Sequence, residues 1–252
     1  MNDLLITEIQ DIESLLKSSK EEALSRAEKL ISEHPNSEDS LLLLARCQRY
    51  CAQLDLAHQT LDKLIESYPN NIIAYMELAT VLNQKEMFSE AIHTLRTAST
   101  IAPEIHEIWD LLSQHLFQSG DKDGAKDALN QYKMIKEFNI KLAIAQEQYQ
   151  KGELKEVGNI CQHLLSLIPT EIRALKLHAK ILSHYKEFEK SIATLEYCIL
   201  QQPSDMELGI QLLNAIIDSG NKEKAIKESE RLVKLDSKNQ KLNQVIQKMQ
   251  SL

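Results

Sequence analysis

The stretch from Ile72 to Ile105 reads IIAYMELATVLNQKEMFSEAIHTLRTASTIAPEI, and it decides the fold. Tyr75, Leu78 and Ala79 share one face of a first helix, and Ala91, Leu95 and Ala98 share one face of a second. Pro103 ends the second helix, because proline lacks an N–H and clashes with the preceding turn. The same proline recurs along the chain. Pro35, Pro69 and Pro103 are 34 residues apart, Pro169 follows after 66, and Pro203 after a further 34. A fixed period near 34 marks a stacked array of helical hairpins. Each hairpin in such an array buries its apolar face on its neighbours, so the 252 residues are expected to form one repeat body.

Aligned on the prolines, the units run approximately 4–37, 38–71, 72–105, 106–137, 138–171, 172–205 and 206–239, with a closing helix over 240–252. The unit from Glu38 carries Leu41, Leu44, Ala45, Ala57, Leu61, Leu64 and Pro69 at matching places. The unit from His106 carries Trp109, Leu112, Ser113, Ala125, Leu129 and Tyr132. Later units keep Ala145, Cys161, Leu164 and Pro169, then Leu175, Ala179, Leu195 and Pro203, then Leu212, Ala225 and Leu232, with Ser237 in place of proline. The first keeps Ala23, Ala27, Leu30 and Pro35, but its first helix is degenerate at Gln10 and Asp11.

On these residues the chain resembles the tetratricopeptide repeat along nearly its whole length. That pattern has a bulky residue at the fourth place, Leu at the seventh, a small residue at the eighth, Ala at the twentieth and Pro at the thirty-second. The resemblance implies an all-α fold: a right-handed α-solenoid of about seven helix-turn-helix units plus a C-terminal capping helix. Small residues at the eighth and twentieth places let paired helices approach closely. Ser37, Asn70 or Asn71, Thr170 and Ser204 are the expected helix caps, Ser204 forming a capping box with Glu207. Ser119-Gly120-Asp121 and Ser219-Gly220-Asn221 supply hairpin turns. Leu213 and Val157 replace small residues and are expected to loosen two hairpins. No proline stands near Glu137, so residues 134–145 form either a tighter turn or a nearly continuous helix, with a bend or change of pitch there. Leu242, Val245, Ile246, Met249 and Leu252 make an apolar stripe, which either caps the last hairpin or docks on another chain, allowing self-association.

Composition narrows the function. Aromatics are only 5%, so the core is built mainly of Leu, Ile and Ala. A net charge of -8 argues against nucleic acid as a partner, since phosphate contacts need clustered Lys and Arg. The N-terminus Met1-Asn2-Asp3-Leu4-Leu5-Ile6-Thr7-Glu8 has no basic start and no long apolar run, and no membrane span is expected. Cytoplasmic residence is the expectation, and four cysteines without a short framework agree with it.

Signs of chemistry are missing. The six glycines build no dinucleotide or phosphate loop, and no H-E-x-x-H, C-x-x-C or G-x-S-x-G occurs. Cys47 and Cys51 share a helix face but lack a second ligand pair in register. Cys161 and Cys198 occupy core places and read as small hydrophobes, and His178 as a packed imidazole. No cofactor, metal or catalytic residue is expected.

The resemblance implies that first helices line the binding face. Its candidate residues are Arg46, Arg49 and Tyr50; Asn83 and Gln84; Gln114, Phe117 and Gln118; Gln146, Tyr149 and Gln150; and Lys176 and Lys180. The middle of this set is an amide ladder flanked by aromatics. Amides offer a donor and an acceptor to the backbone of an extended protein or peptide partner. Arg46 and Arg49 at one end, and Arg173, Lys176 and Lys180 at the other, are placed to take acidic ligand residues. The alternative is a plain polar helix face. The basic and amide set that relatives use to clamp a chaperone's terminal carboxylate is not found.

Trp109-Asp110-Leu111-Leu112 through Gly120-Asp121, and Pro169-Thr170-Glu171-Ile172-Arg173-Ala174-Leu175 through Pro203, resemble the repeat region of bacterial tetratricopeptide-repeat sulfotransferases. In that family the repeats precede a catalytic domain with a phosphosulfate-binding loop, and this sequence contains no such loop. The resemblance implies a bacterial, stand-alone or truncated relative that is a scaffold and not an enzyme.

Overall fold

The computed structural model describes the backbone of residues 3–250 and the side chains of residues 5–249. Leu252, counted above in the terminal stripe, lies outside the described residues. Fourteen helices and no strand occur among them. In chain order these are α1 (Asp3–Leu15), α2 (Lys20–Glu33), α3 (Glu38–Tyr50), α4 (Leu54–Ser67), α5 (Ile72–Gln84), α6 (Phe88–Ile101), α7 (His106–Gln118), α8 (Lys122–Gln150), α9 (Leu154–Leu167), α10 (Ile172–His184), α11 (Phe188–Gln201), α12 (Met206–Asp218), α13 (Lys222–Leu235) and α14 (Gln240–Gln250). The architecture is an all-α repeat solenoid. It divides into two bodies, one ending at Lys136 and the other starting at Glu137, both within α8.

In the first body α1–α2, α3–α4 and α5–α6 are hairpins, and the first helices also touch in sequence, α1 with α3, α3 with α5 and α5 with α7. Ala45, Ala57, Ala79, Ala91 and Ala98 are all buried, as the small places of the repeat require. Leu61, Leu64 and Leu95 fill the space beside them. In the second body α10–α11 and α12–α13 are hairpins, and α9 packs on α10. Leu213 and Val157 are fully buried. Where Leu213 takes the small place, the close approach has moved one turn back to Gly209. A Cβ there would collide with the buried Leu232 of α13.

The connections follow one rule. The residue before each proline (His34, Tyr68, Ala102, Ile168, Gln202) has φ between -131° and -137° and leaves the helical region, ending its helix. The ring of the following proline forces this. Two residues after the proline the next helix begins, capped by a side chain at every one but Ile105. Ser37 accepts from the Ser40 N–H at 3.3 Å and Asn71 from the Ala74 N–H at 2.8 Å. Glu171 and Asp205, rather than the expected Thr170 and Ser204, cap α10 and α12. The two-residue step from Pro169 and Pro203 places the neighbouring acids at the cap, so Ser204 and Glu207 form no capping box.

Inside every hairpin after α1–α2 one residue has positive φ: Ala52, Glu86, Gly120, Gly152, Lys186 and Gly220. The N–H after Glu86 (Met87) reaches back to the Leu82 carbonyl at 2.9 Å, closing a left-handed C-cap of the kind that usually holds glycine. Residues 134–145 are helical throughout, so the nearly continuous alternative holds. Without a proline near Glu137, the second helix of one unit and the first of the next merge into the 29 residues of α8.

Among the described residues, α14 fully buries Leu242 and sets Val245, Ile246 and Met249 against the core of α12 and α13. The terminal stripe therefore faces its own chain as a cap. Cys47, Cys161 and Cys198 are buried free thiols. Burial pushes Cys161 and Cys198 up to about 11 and, with the neighbouring Cys51, Cys47 up to about 12.

Candidate functional site

First helices of successive hairpins place residues about 34 apart side by side. In the first body this sets Arg46, Arg49 and Tyr50 of α3 next to α5, and Asn83 and Gln84 of α5 next to α7. Arg46 and Arg49 are not free cations, as the period alone suggests. Glu77 of α5 takes both: its Oε1 accepts from Arg46 Nε at 2.8 Å and its Oε2 from Arg49 Nε at 3.0 Å. Glu13 of α1 accepts from Arg46 Nη1 at 2.8 Å. The Glu77 carboxylate is mostly buried, so this chelate ties α1, α3 and α5 together. Arg49 also lies over the Tyr50 ring, 4.7 Å from its centre.

The rest of this row is open. Gln84, Gln114 and Gln118 are exposed, and Phe117 is exposed over 66% of its surface. Asn83 differs, since its Oδ1 is buried and meets no donor. In the first body the expected ladder is thus three solvent-facing glutamines, a bare phenyl ring and one asparagine turned inward.

In the second body the expected residues converge. Gln146, Tyr149 and Gln150 of α8, with Arg173, Lys176 and Lys180 of α10, line a cleft of about 470 Å³ that Glu207 of α12 closes. Every candidate residue of this body is in it. Lys176 Nζ donates to Glu207 Oε2 at 3.0 Å and lies 3.5 Å from Asp205 Oδ2. The Lys176 ammonium holds the Glu207 carboxyl below its usual range. Lys180 sits 3.9 Å from the same carboxylate. Arg173 is oriented by Glu171 and by Asn139 Oδ1 at 3.0 Å. Tyr149 packs against the core of α8, α9 and α10. The cleft therefore pairs fixed cations with free amides. A roomier opening of about 710 Å³ beside α11 is lined by charges of both signs, including Lys224 and Glu196 paired at 2.7 Å, and gathers no such set.

The counter-ions Glu77 and Glu207 are the neighbours that motif reading misses. Each stands 31 residues after the cation it holds, Arg46 and Lys176. That separation is one repeat less a helical turn, so the period itself carried the signal.

Residues 21–82, from α2 through α5, match the tetratricopeptide repeat family model. Over that segment the chain carries the tetratricopeptide repeat. Among solved structures it is similar to the P58(IPK) TPR domain at 17% identity, covering 99% of this chain and 79% of that one, with a TM-score of 0.47. It is also similar to TTC0263, a thermophilic TPR protein of Thermus thermophilus, at 16% identity over 84% of this chain and 99% of that one, TM-score 0.46. A chain of the APC/C Cut9–Hcn1 hetero-tetramer is similar at 14% identity over 94% of this chain, TM-score 0.45, and this chain spans 48% of its length. No curated protein matches. Tetratricopeptide repeats generally mediate protein–protein interaction. No helix among the described residues is long and apolar enough to cross a membrane.

Proposed function

We propose that this chain is a non-catalytic scaffold that holds an extended segment of a partner protein along its first helices. The observation that carries the reading is the cleft of the second body, where Gln146, Gln150, Tyr149 and three cations meet. Glutamine amides take backbone groups of a strand without regard to its side chains. Lys180, held only loosely by Glu207, is the cation best placed to exchange that carboxylate for an acidic residue of the ligand. In the first body Phe117, Gln114 and Gln118 offer a contact surface of their own. Arg46 and Arg49 serve there through the Glu77 chelate that fixes the helix spacing. Cytoplasmic residence fits this role.

The combined variant Gln146→Ala, Gln150→Ala, Lys180→Ala tests it. Capture from native lysate, read by mass spectrometry beside wild type, should show partners lost with the variant while helicity is unchanged. An identical partner set for both proteins would overturn the reading.

The motifs from Trp109 to Asp121 and from Pro169 to Pro203 support a second reading, a repeat module akin to that of bacterial tetratricopeptide-repeat sulfotransferases. A sulfotransferase domain encoded downstream in the same native gene would favour it, and its absence there would remove it.

A further inference from the structure

A second cleft of the second body adjoins the one already described. It holds about 480 Å³ between α12 and α14, and Glu207 is the wall that the two clefts share. Met206 and Ile210 give it an apolar floor, packed against the core, and the exposed Gln240 and Lys241 stand on its rim. Asn239 Oδ1 is spent on the Leu242 N–H at 3.2 Å, which fixes the start of α14. The repeat explains the change of character between the clefts. Arg173, Glu207 and Lys241 stand 34 residues apart, at the second place of α10, α12 and α14, and Lys176 and Ile210 share the fifth place of α10 and α12. One step along the first helices therefore replaces a lysine by an isoleucine. Glu207 lies between cations on both sides, and its two oxygens serve two lysines, Oε2 at 3.0 Å from Lys176 Nζ and Oε1 at 3.9 Å from Lys180 Nζ. Its side chain is 65% exposed, so the carboxylate that gathers these cations is itself free to swing outward. Asp205, 3.5 Å from Lys176 Nζ, stays behind because it caps α12.

We infer that the two clefts form one groove, and that the segment it holds carries a Glu or Asp three residues from a large apolar residue. The inference rests on the scaffold reading above and adds the chemistry of the ligand. The ligand's carboxylate takes the place that Glu207 holds on Lys176 and Lys180, and its apolar side chain enters the cleft between α12 and α14, over Met206 and Ile210. The spacing follows from the helices. α10 touches α12 and α12 touches α14, and packed helices lie about 8–10 Å apart. A polyproline II segment rises about 3.1 Å per residue with three residues per turn, so side chains three apart point the same way at a separation of about 9 Å. In a β-strand the side chains that point the same way are about 6.6 Å or about 13 Å apart, either side of the step required. Polyproline II also leaves its backbone groups unpaired, which is what the amides of Gln146 and Gln150 need. Lys241 on the far rim disfavours a basic residue beside the apolar one.

Fluorescence anisotropy with the full chain tests this. The probes are labelled peptides of about ten residues, built of Ala, Pro and Gln and blocked at both ends, each with one Glu and one Leu at a separation of one to five residues in either order. The separation of three should bind most tightly, and replacing its Leu by Ser should weaken binding about tenfold. Gln240→Trp, a change at the exposed rim, should fill the cleft and erase the preference for Leu while the need for Glu remains, and Ile210→Gln should do the same from the floor. Glu207→Gln removes the internal competitor and should tighten binding by up to about fivefold. Circular dichroism checks that each variant keeps the helicity of wild type. Binding that ignores the Leu or its separation would overturn the inference, as would no binding up to about 1 mM. Weaker binding by Glu207→Gln would make Glu207 part of the site rather than its occupant, and would equally overturn it. The two readings fail separately. Probe binding that is lost in the Gln146→Ala, Gln150→Ala, Lys180→Ala variant but indifferent to Leu removes this inference alone, whereas a lysate partner set unchanged by that variant removes the scaffold reading.

Discussion

Glu86 holds a backbone conformation that its own side chain opposes. At φ 59° its Cβ crowds the following carbonyl, at a cost of about 1–2 kcal/mol. Glycine there would remove that strain while giving the unfolded chain about 0.4–1 kcal/mol of extra freedom. Glu86→Gly should therefore raise stability by about 0.5–1 kcal/mol, read as a higher urea midpoint at unchanged slope. A lower midpoint would mean that the exposed carboxylate contributes something the geometry does not reveal. Ala52, one repeat earlier, and Lys186, in the second body, hold the same conformation. None of these three types signals a turn, so composition points to the turns at Gly120 and Gly220 and passes over the others. Periodicity does not, because Glu86 stands 34 residues before Gly120 and Lys186 the same distance before Gly220. The cation partners Glu77 and Glu207 escaped for a related reason. A carboxylate on a helix face is ordinary until its neighbour one repeat back is considered.

Hairpin α12–α13 shows how an element absorbs a local departure from the repeat. Leu213 fills the place that usually lets the helices close, and Gly209, one turn earlier, takes over that task. Gly209→Ala sets two effects against each other. Alanine gains about 1 kcal/mol of helix propensity. The added methyl meets the fully buried end of the Leu232 side chain, and overpacking costs about 1–3 kcal/mol. The variant should be less stable by up to about 2 kcal/mol in chemical denaturation, and a stabilised variant would show that α12 and α13 are farther apart than described. Helix boundaries were the most legible part of the sequence, since each proline imposes an end before it and a new helix start two residues after it. Thr170 and Ser204 were attractive as caps by type alone, but the chain needs one more residue to turn, which hands the role to Glu171 and Asp205. Of the candidate site, the cleft of the second body was legible because its residues share a row of the repeat. In the first body, Arg46 and Arg49 were legible as to place but not as to state, which depends on Glu77.

Across the whole molecule, stability should depend on two imidazoles. Burial pushes His115 below its ordinary value, opposed by the nearby Ala79 carbonyl, and burial likewise lowers His178. The unfolded chain then binds protons that the folded chain refuses, from the ordinary histidine value near about 6.5 downward. Stability is therefore complete above that pH and is lost as pH falls through the window down to the folded values. Melting temperature should decline between about pH 7 and about pH 5, and His115→Leu with His178→Leu should flatten that decline; an unaltered slope would place the effect elsewhere. The first body has its apolar cores within residues 12–128 and the second within residues 138–242. Each contains buried thiols held in their protonated form, Cys47 in one and Cys161 and Cys198 in the other. A thiol in that form does not attack an alkylating reagent at neutral pH. The protein thus carries its own clocks: after Cys51 at the rim has reacted, the rate at which each remaining cysteine is modified reports how often its own hairpin opens, without any label having been introduced.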